Sequence, residues 1–349
     1  MATSDSRHPR VTVVVPLRDE APAIGRCLDA ILAQDYPRNR MEVIVADGRS
    51  TDGSREIVER LRERDPRVAL VDNPEQIVPT GLNRALRQAS GSVIVRVDAR
   101  TEIASDYVRI AVGLLERTGA DVVGGPMRPV GEGPIARAIA AATSSRFGIG
   151  NAYFHYGREE REVDSVYMGV FRRTLFDRVG FFDEEMVCNQ DDEFTYRVCR
   201  AGGRVVMTPR LRSAYQNRTS LRTLARQYAR YGLYKVRVLQ KHPQVMSWRH
   251  AAPPLFVAAL VGAAALAFLG WPWSGALVAL VGAYGAALLA AAAVVAREQG
   301  AGLLPRLLLV FPVIHLAWGG GVLWGLWRFR ERWREREWRR ALPAQAVTP

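Results

Sequence analysis

Short, unbroken apolar runs alternate along the chain with longer segments in which apolar residues recur every three or four positions. VTVVVP (Val11 to Pro16) is the first run, uncharged and ended by proline, as a strand buried on both faces requires. Ile24, Leu28, Ile31 and Leu32 then follow at helical spacing. EVIVADGRSTDGS predicts a second buried strand running into a turn rich in Asp, Gly and Ser, with a helix over Arg55 to Arg64 behind it. VALVDN, a helix over Thr80 to Ala89 and the strand GSVIVRVD repeat the cycle. This alternation predicts a doubly wound α/β sheet. Further on, ADVVGGPM, SVYMGVFRR and GRVVMTPRLRSAYQ read as strands around a helix that carries CNQDDEFTYRVCRAGG, and Ile135 to Tyr156 reads as a core helix, with a partly exposed amphipathic segment at the membrane or acceptor groove as the second reading.

The pattern changes near residue 250. From Ala251 to Trp327 the only charges are Arg297, Glu298 and Arg306, whereas the chain before it is charged throughout. Residues 1–240 therefore read as a soluble domain and residues 241–349 as a membrane region with a basic tail. Spans are expected at about 255–271 and 274–296, each close to the length that crosses ~30 Å of hydrocarbon. Basic residues before the first and after the second favour a hairpin with both ends inside. The third apolar segment, 303–327, contains Pro312, His315 and Gly319 to Gly321, and two readings stand: a broken or re-entrant element, or a third span.

Net charge is +13, from 48 Lys and Arg against 35 Asp and Glu. Because the basic residues flank the apolar region, the charge points to anionic membrane lipids and not to nucleic acid. Three scattered cysteines, Cys27, Cys188 and Cys199, fit a reducing compartment better than a disulfide framework. The N-terminal residues MATSDSRHPR contain no apolar signal core, which places the soluble domain in the cytoplasm as an expectation.

Ligands of doubly wound sheets collect beyond the carboxyl ends of the strands, where the acidic turns LRDE, ADGRSTD and VDART all fall. At these turns the chain resembles the family 2 glycosyltransferases, and within them the membrane glucosyltransferases of succinoglycan-type exopolysaccharide assembly. VTVVVPLRDE, VADGRSTDGS, TGLNRAL, VIVRVDAR, GGPM, GFFDE, NQDDEFTYR and QYARYGLYK carry the resemblance, in family order over about two hundred residues.

The resemblance implies a GT-A fold, Rossmann-like with a doubly wound mixed sheet, and transfer of a sugar from a nucleotide-diphosphate donor, a UDP-sugar, with inversion. The acceptor it implies is a lipid-linked sugar at the membrane. It places the nucleoside grip on Asp19 or Glu20 and on Asp47, where a carboxylate accepts from an imide N–H or a ribose hydroxyl; Asp52 is equally a turn or capping residue. Asp98 matches the first acid of the family's Asp-x-Asp, the metal position, while Arg100 stands where the second acid would be. Either Arg100 neutralises the diphosphate itself, or Asp98 and another acid still hold Mg²⁺ or Mn²⁺. NQDDEF aligns Asp191 with the general base, which a sugar hydroxyl needs to become a nucleophile, with Gln190 and Glu193 beside it. Gln227, Arg230 and Tyr231 of QYARYGLYK match the Gln-x-x-Arg-Trp element, facing the diphosphate or the acceptor. A non-catalytic membrane scaffold with a decayed nucleotide cleft is the alternative, supported by Arg100 and Gln190.

Overall fold

The computed structural model describes residues 8–245 and 247–334; the basic residues beyond position 334 lie outside them. Two compact units are built from interleaved segments. One runs to Arg128 and takes in Tyr156–Gln216; the other takes in Pro129–His155 and the chain from Asn217 on. The sequence-based boundary after residue 240 falls just inside the end of the helix Leu221–Lys241.

The first unit is an eight-stranded mixed sheet with helices on its faces. Its strands are β1 (Val11–Leu17), β2 (Met41–Asp47), β3 (Val68–Asp72), β4 (Val93–Arg96), β6 (Val122–Gly125), β8 (Arg161–Glu162), β9 (Tyr167–Arg172) and β10 (Val205–Met207), in the order β3-β2-β1-β4-β9-β6-β10-β8. Three short strands lie outside this sheet: β5 (Thr101–Ile103), which pairs antiparallel with β11 (Ser213–Gln216), and β7 (Pro129–Val130). The helices of this unit are α1 (Ala21–Leu32), α2 (Ser54–Arg64), α3 (Val78–Gln88), α4 (Tyr107–Thr118), α7 (Thr174–Val179) and α8 (Gln190–Arg200). The expected strands and helices are all present; α4, which continues Leu114–Leu115 into the core, and the short elements β5, β7, β8 and α7 are additions.

β1 is central because nothing in VTVVVPL must meet water: Val11, Val13 and Val15 are fully buried. β1 pairs parallel with β2 on one side and β4 on the other, so the strand order reverses there and opens a crevice at the carboxyl ends of β1 and β4. β9 is antiparallel to both β4 and β6, which makes the sheet mixed.

The second unit is helical. It holds α5 (Pro134–Thr143), α6 (Arg146–Ile149), α9 (Leu221–Lys241), α10 (Trp248–Leu266), α11 (Trp273–Gln299) and α12 (Leu304–Arg328). The stretch read as a core helix holds α5, α6 and a short turn at Tyr153–His155; Ala138, Ile139 and Ala142 of α5 share a core with Leu307, Val310 and Phe311 of α12 and with Ala292 and Val295 of α11. Three helical stretches, His250–Leu269, Trp273–Gln299 and Ala301–Arg328, are long and apolar enough to cross a membrane.

The third of these is one continuous helix, without the break that one of the two readings of segment 303–327 expected. Pro312 sits inside α12 without ending it. His315 is satisfied on both ring nitrogens, Nδ1 by the Tyr284 hydroxyl at 2.9 Å and Nε2 by the Phe147 carbonyl at 2.8 Å. Gly321 serves close packing: a Cβ there would collide with the Ala229 backbone of α9.

Candidate active site

The turn after β1 and the turn after β2 are stitched to each other. Asp19 takes a left-handed backbone, φ 51°. Its N–H donates to Ser50 Oγ at 2.9 Å, while the Thr51 N–H donates to its Oδ1 at 2.8 Å. The next two amides of the first turn, Glu20 and Ala21, donate to Ser54 Oγ (2.8 Å) and Asp52 Oδ2 (2.9 Å). Burial favours the neutral form of Asp52, but hydrogen bonds from Ser54 and Ala21 outweigh it and hold the carboxyl below its ordinary range. Asp52 is thus occupied in turn chemistry, as its second sequence reading anticipated.

Asp47 ends β2 with a side chain that is 0 % exposed. Oδ1 accepts from Ser50 N–H (3.2 Å) and Ser50 Oγ (2.6 Å), and Oδ2 accepts from Arg55 Nη1 at 3.2 Å. These bonds shape the second turn. Asp47→Ala is expected to lower stability by ~1–3 kcal/mol, the cost of leaving buried donors unmatched. A thermal or denaturant melt unchanged from the parent would contradict this.

The turn after β4 carries the central feature. Arg96, near the end of β4, is 6 % exposed, and its Nε donates to Asp98 Oδ1 at 2.9 Å. Arg100 does not pair with Asp98 at all; its Nε donates to Glu20 Oε1 at 2.6 Å across the switch point, with both side chains partly exposed. Two ion pairs, Arg96–Asp98 and Arg100–Glu20, therefore line the crevice. The Asp98 N–H donates to Met168 Sδ at 3.5 Å, and the Thr101 and Tyr167 hydroxyls bond at 2.6 Å beneath it.

Asp191 enters from the first turn of α8. Its Oδ1 accepts the Asp192 N–H at 3.0 Å. Desolvation pushes its carboxyl above the ordinary range; Arg96 pulls the other way, and the charges of Asp192 and Asp98 add to the rise. Burial likewise works against the charge on Arg96, but Asp98 and Asp191 outweigh it and hold the guanidinium protonated beyond its already high ordinary value. Arg96 is thus the cation that both acids share. The neighbouring acids are engaged elsewhere: Ser165 Oγ donates to Asp192 Oδ1 at 3.0 Å, and Glu193, buried, pairs with Arg197 at 2.8 Å. Gln190 is buried as well.

Five non-glycine residues among those described hold left-handed backbones: Asp19, Arg49, Gln76, Met168 and Asn189, with φ of 51°, 55°, 59°, 47° and 60°; Gln76 follows β3. Each costs ~1 kcal/mol. The other four sit at the turns after β1 and β2, opposite Asp98, and just before Gln190. Strain concentrated where side chains must be aimed is a mark of a working site.

Gln227, Arg230 and Tyr231 lie in the helical unit, on one face of α9. Gln227 Nε2 donates to Tyr231 Oη at 2.8 Å and Gln227 Oε1 accepts from Arg218 Nε at 3.3 Å. Sequence reasoning passed over Arg96 and Ser50. A charge inside the otherwise apolar central strand VIVRV was the available signal for the first; a serine in a turn carries none.

Among the described residues no three His, Cys, Asp or Glu side chains cluster as a metal cage. Asp98 offers one carboxylate, already bonded to Arg96 through Oδ1, and Arg100 stands where a second acid would be. That donor set fits Mg²⁺ or Mn²⁺ in the mode in which phosphate and water supply most of the oxygens.

An open mixed sheet with acidic turns at its switch point and an acid on a helix start facing them is the arrangement of a GT-A glycosyltransferase. Residues 12–180 match the model of Glycosyl transferase family 2. The sequence is 33 % identical over 322 residues to succinoglycan biosynthesis protein ExoA of Rhizobium meliloti strain 1021, covering 92 % of this chain and 96 % of that protein. The chain therefore belongs to glycosyltransferase family 2. It is also 23 % identical over 239 residues, 66 % of this chain and 74 % of the relative, to a dolichyl N-acetyl-alpha-D-glucosaminyl phosphate 3-beta-D-2,3-diacetamido-2,3-dideoxy-beta-D-glucuronosyltransferase of Methanococcus voltae. The fold is shared with a mannosyltransferase of Pyrobaculum calidifontis, solved in complex with GDP-Man and Mn²⁺: TM-score 0.58, 24 % identity, 92 % of this chain and 88 % of that one.

Proposed function

We propose that this glycosyltransferase is inverting and membrane-anchored, and that it moves a sugar from a UDP-sugar to a lipid-linked sugar acceptor at the cytoplasmic face. The observation that carries the reading is Asp191: one of three acids in the first turn of α8, with raised proton affinity, beside the Arg96–Asp98 pair. A carboxylate with that affinity is a better base than an exposed one.

In the proposed mechanism Asp191 takes the proton of the acceptor hydroxyl as it attacks the anomeric carbon on the face opposite the departing diphosphate. Arg96 keeps Asp191 ionised, and it holds Asp98 toward the donor. Glu20, Asp19 and the turn stitched by Ser50 and Ser54 bind the nucleoside, with Asp47 shaping that turn. Arg100 leaves Glu20 for a diphosphate oxygen, since an arginine forks onto phosphate as readily as onto carboxylate. A divalent cation bound by Asp98 and the donor phosphates would neutralise leaving-group charge. Gln227, Arg230 and Tyr231 serve the diphosphate or the acceptor. The apolar helices hold the enzyme where a lipid-linked acceptor resides.

A donor screen on membranes with and without EDTA tests this. UDP-sugars are the expected donors, and turnover of another nucleotide's sugars alone would refute that assignment. Arg100→Asp is expected to make activity at least tenfold more sensitive to EDTA than the parent, because a second acid restores a cation site and removes a guanidinium. Equal sensitivity would mean that Arg100 does not meet the diphosphate. No turnover of any donor, with membrane attachment intact, would favour the non-catalytic scaffold.

A further inference from the structure

Of the three apolar helices, α12 is covered unlike the others. Only 6 % and 11 % of the most apolar stretches of α10 and α11 are buried, against 39 % for α12. Part of its cover is α10, through Pro253 and Val257 against Gly319, and α11, through Ala292, Val295 and the Tyr284–His315 bond; the rest comes from helices that are not themselves membrane-like. Over its first half the cover is α5 and α6, through Ala138, Ala142 and Phe147 against Leu307, Val310 and Phe311. Over its second half it is α9, and the two helices run side by side in the same direction: Ala229 meets Gly321, Leu233 meets Gly325, and Gln240 Nε2 donates to the Phe329 carbonyl at 2.9 Å.

α9 carries six cations, Arg222, Arg226, Arg230, Lys235, Arg237 and Lys241, and no acid. Its small-residue seam with α12 runs from Trp318 to Phe329, roughly 16 Å of helix. If α12 crossed the bilayer, that seam would carry much of this cationic helix to hydrocarbon depth, where charged side chains are rare and costly. The uncovered side of α12 is different in kind: Leu309, Leu316, Trp324 and Trp327 are exposed along it. Spacings of 7, 8 and 3 residues keep all four within one helical sector. Exposed Arg328, Arg330 and Arg332 continue directly from its end.

We infer that α12 lies along the membrane surface, with Leu309, Leu316, Trp324 and Trp327 dipping into the headgroup and acyl boundary and α10 and α11 forming the transmembrane hairpin. The inference rests on the membrane anchoring proposed above. An apolar stripe containing tryptophans and ending in arginines matches an anionic bilayer surface in both shape and charge. Against this surface the protein covers the other side of α12, so the helix needs no polar face of its own. Such a placement keeps the chain after α12 on the same side as the soluble domain.

The test uses the full chain in vesicles of phosphatidylethanolamine and phosphatidylglycerol. Leu309→Cys, Leu316→Cys and Trp324→Cys are introduced singly after Cys27→Ala, Cys188→Ser and Cys199→Ser, labelled with an environment-sensitive dye, and read by spin-labelled lipids of graded depth. All three labels are expected at one shallow depth, ~5–10 Å below the headgroups. A depth that runs from one leaflet through the centre to the other would overturn the inference, as would labels shielded from every lipid by a second copy of the chain. A second measurement needs no substitution in the fold: tags before Met1 and after Pro349 are expected to be accessible from the same side, and opposite sides would overturn it. Release of the protein by alkaline carbonate would instead remove the membrane anchoring itself.

Discussion

Asp191→Asn is expected to lower kcat about 10²–10⁴-fold while leaving the thermal midpoint at or above that of the parent. The two halves of this expectation have one cause. Desolvation and the charges of Asp192 and Asp98 raise the carboxyl's proton affinity in the folded state, against the opposing pull of Arg96 and of the Asp192 N–H. Between the ordinary carboxylate pKa and the raised one, the folded protein binds more protons than the unfolded chain. The contribution of this group to stability is therefore greatest at low pH and falls as pH rises through the raised value. At neutral pH the ionised form is a cost that asparagine removes. The same ionisation sets the acid limb of kcat/KM, which is expected above the pH at which an exposed aspartate titrates. Activity unchanged in Asp191→Asn would end the general-base assignment; lost activity with a melt several degrees lower would show a structural role instead.

Arg96→Met is expected to be damaging in a different way. It removes the buried cation shared by Asp98 and Asp191, and breaking a buried pair by deleting one partner costs ~3–5 kcal/mol because the remaining charge is stranded. Without Arg96 the proton affinity of Asp191 loses the larger of its two restraints, so the acid limb of the pH profile moves to higher pH. Arg96→Lys keeps the charge but loses the directed Nε bond to Asp98 at 2.9 Å; it is expected to recover stability more fully than activity. A pH profile superimposable on the parent's in both variants would show that Arg96 does not act on Asp191.

Much of the fold was legible because strand burial in a doubly wound sheet leaves an unmistakable apolar run. VTVVVP has no charge to place and EVIVA has only Glu42 at its start, so their positions as buried strands follow from the apolar runs. α4 was less legible: Tyr107 to Thr118 has two arginines and a glutamate on its outer side, and nothing in the local pattern separates it from the irregular stretch before it. The helical unit was misassigned in one part. Ile135 to Tyr156 reads as core by periodicity, but periodicity does not say whose core, and α5 packs with α12.

The site divides the same way. Acids in turns after apolar strands mark a crevice without any coordinates and single out Asp98, whereas Asp191 was singled out by the family resemblance of NQDDEF. Their partners are another matter. That Arg100 reaches Glu20 eighty residues away, that Arg96 and not Arg100 holds Asp98, and that Asp47 is consumed by Ser50 and Arg55 are consequences of which turns meet at the switch point.

The sequence by itself determined the class of fold, the positions of the buried strands, the presence of three apolar helices and the short roll of acids able to do chemistry. Each is a one-dimensional property, set by which residues avoid water and at what period. Only the tertiary structure decided the pairing of charges and the continuity of α12 through Pro312 and its glycines. Ion pairing depends on distances of about 3 Å between residues remote in the chain, and a glycine reads as a break until the neighbouring backbone that occupies the space of its missing Cβ is seen.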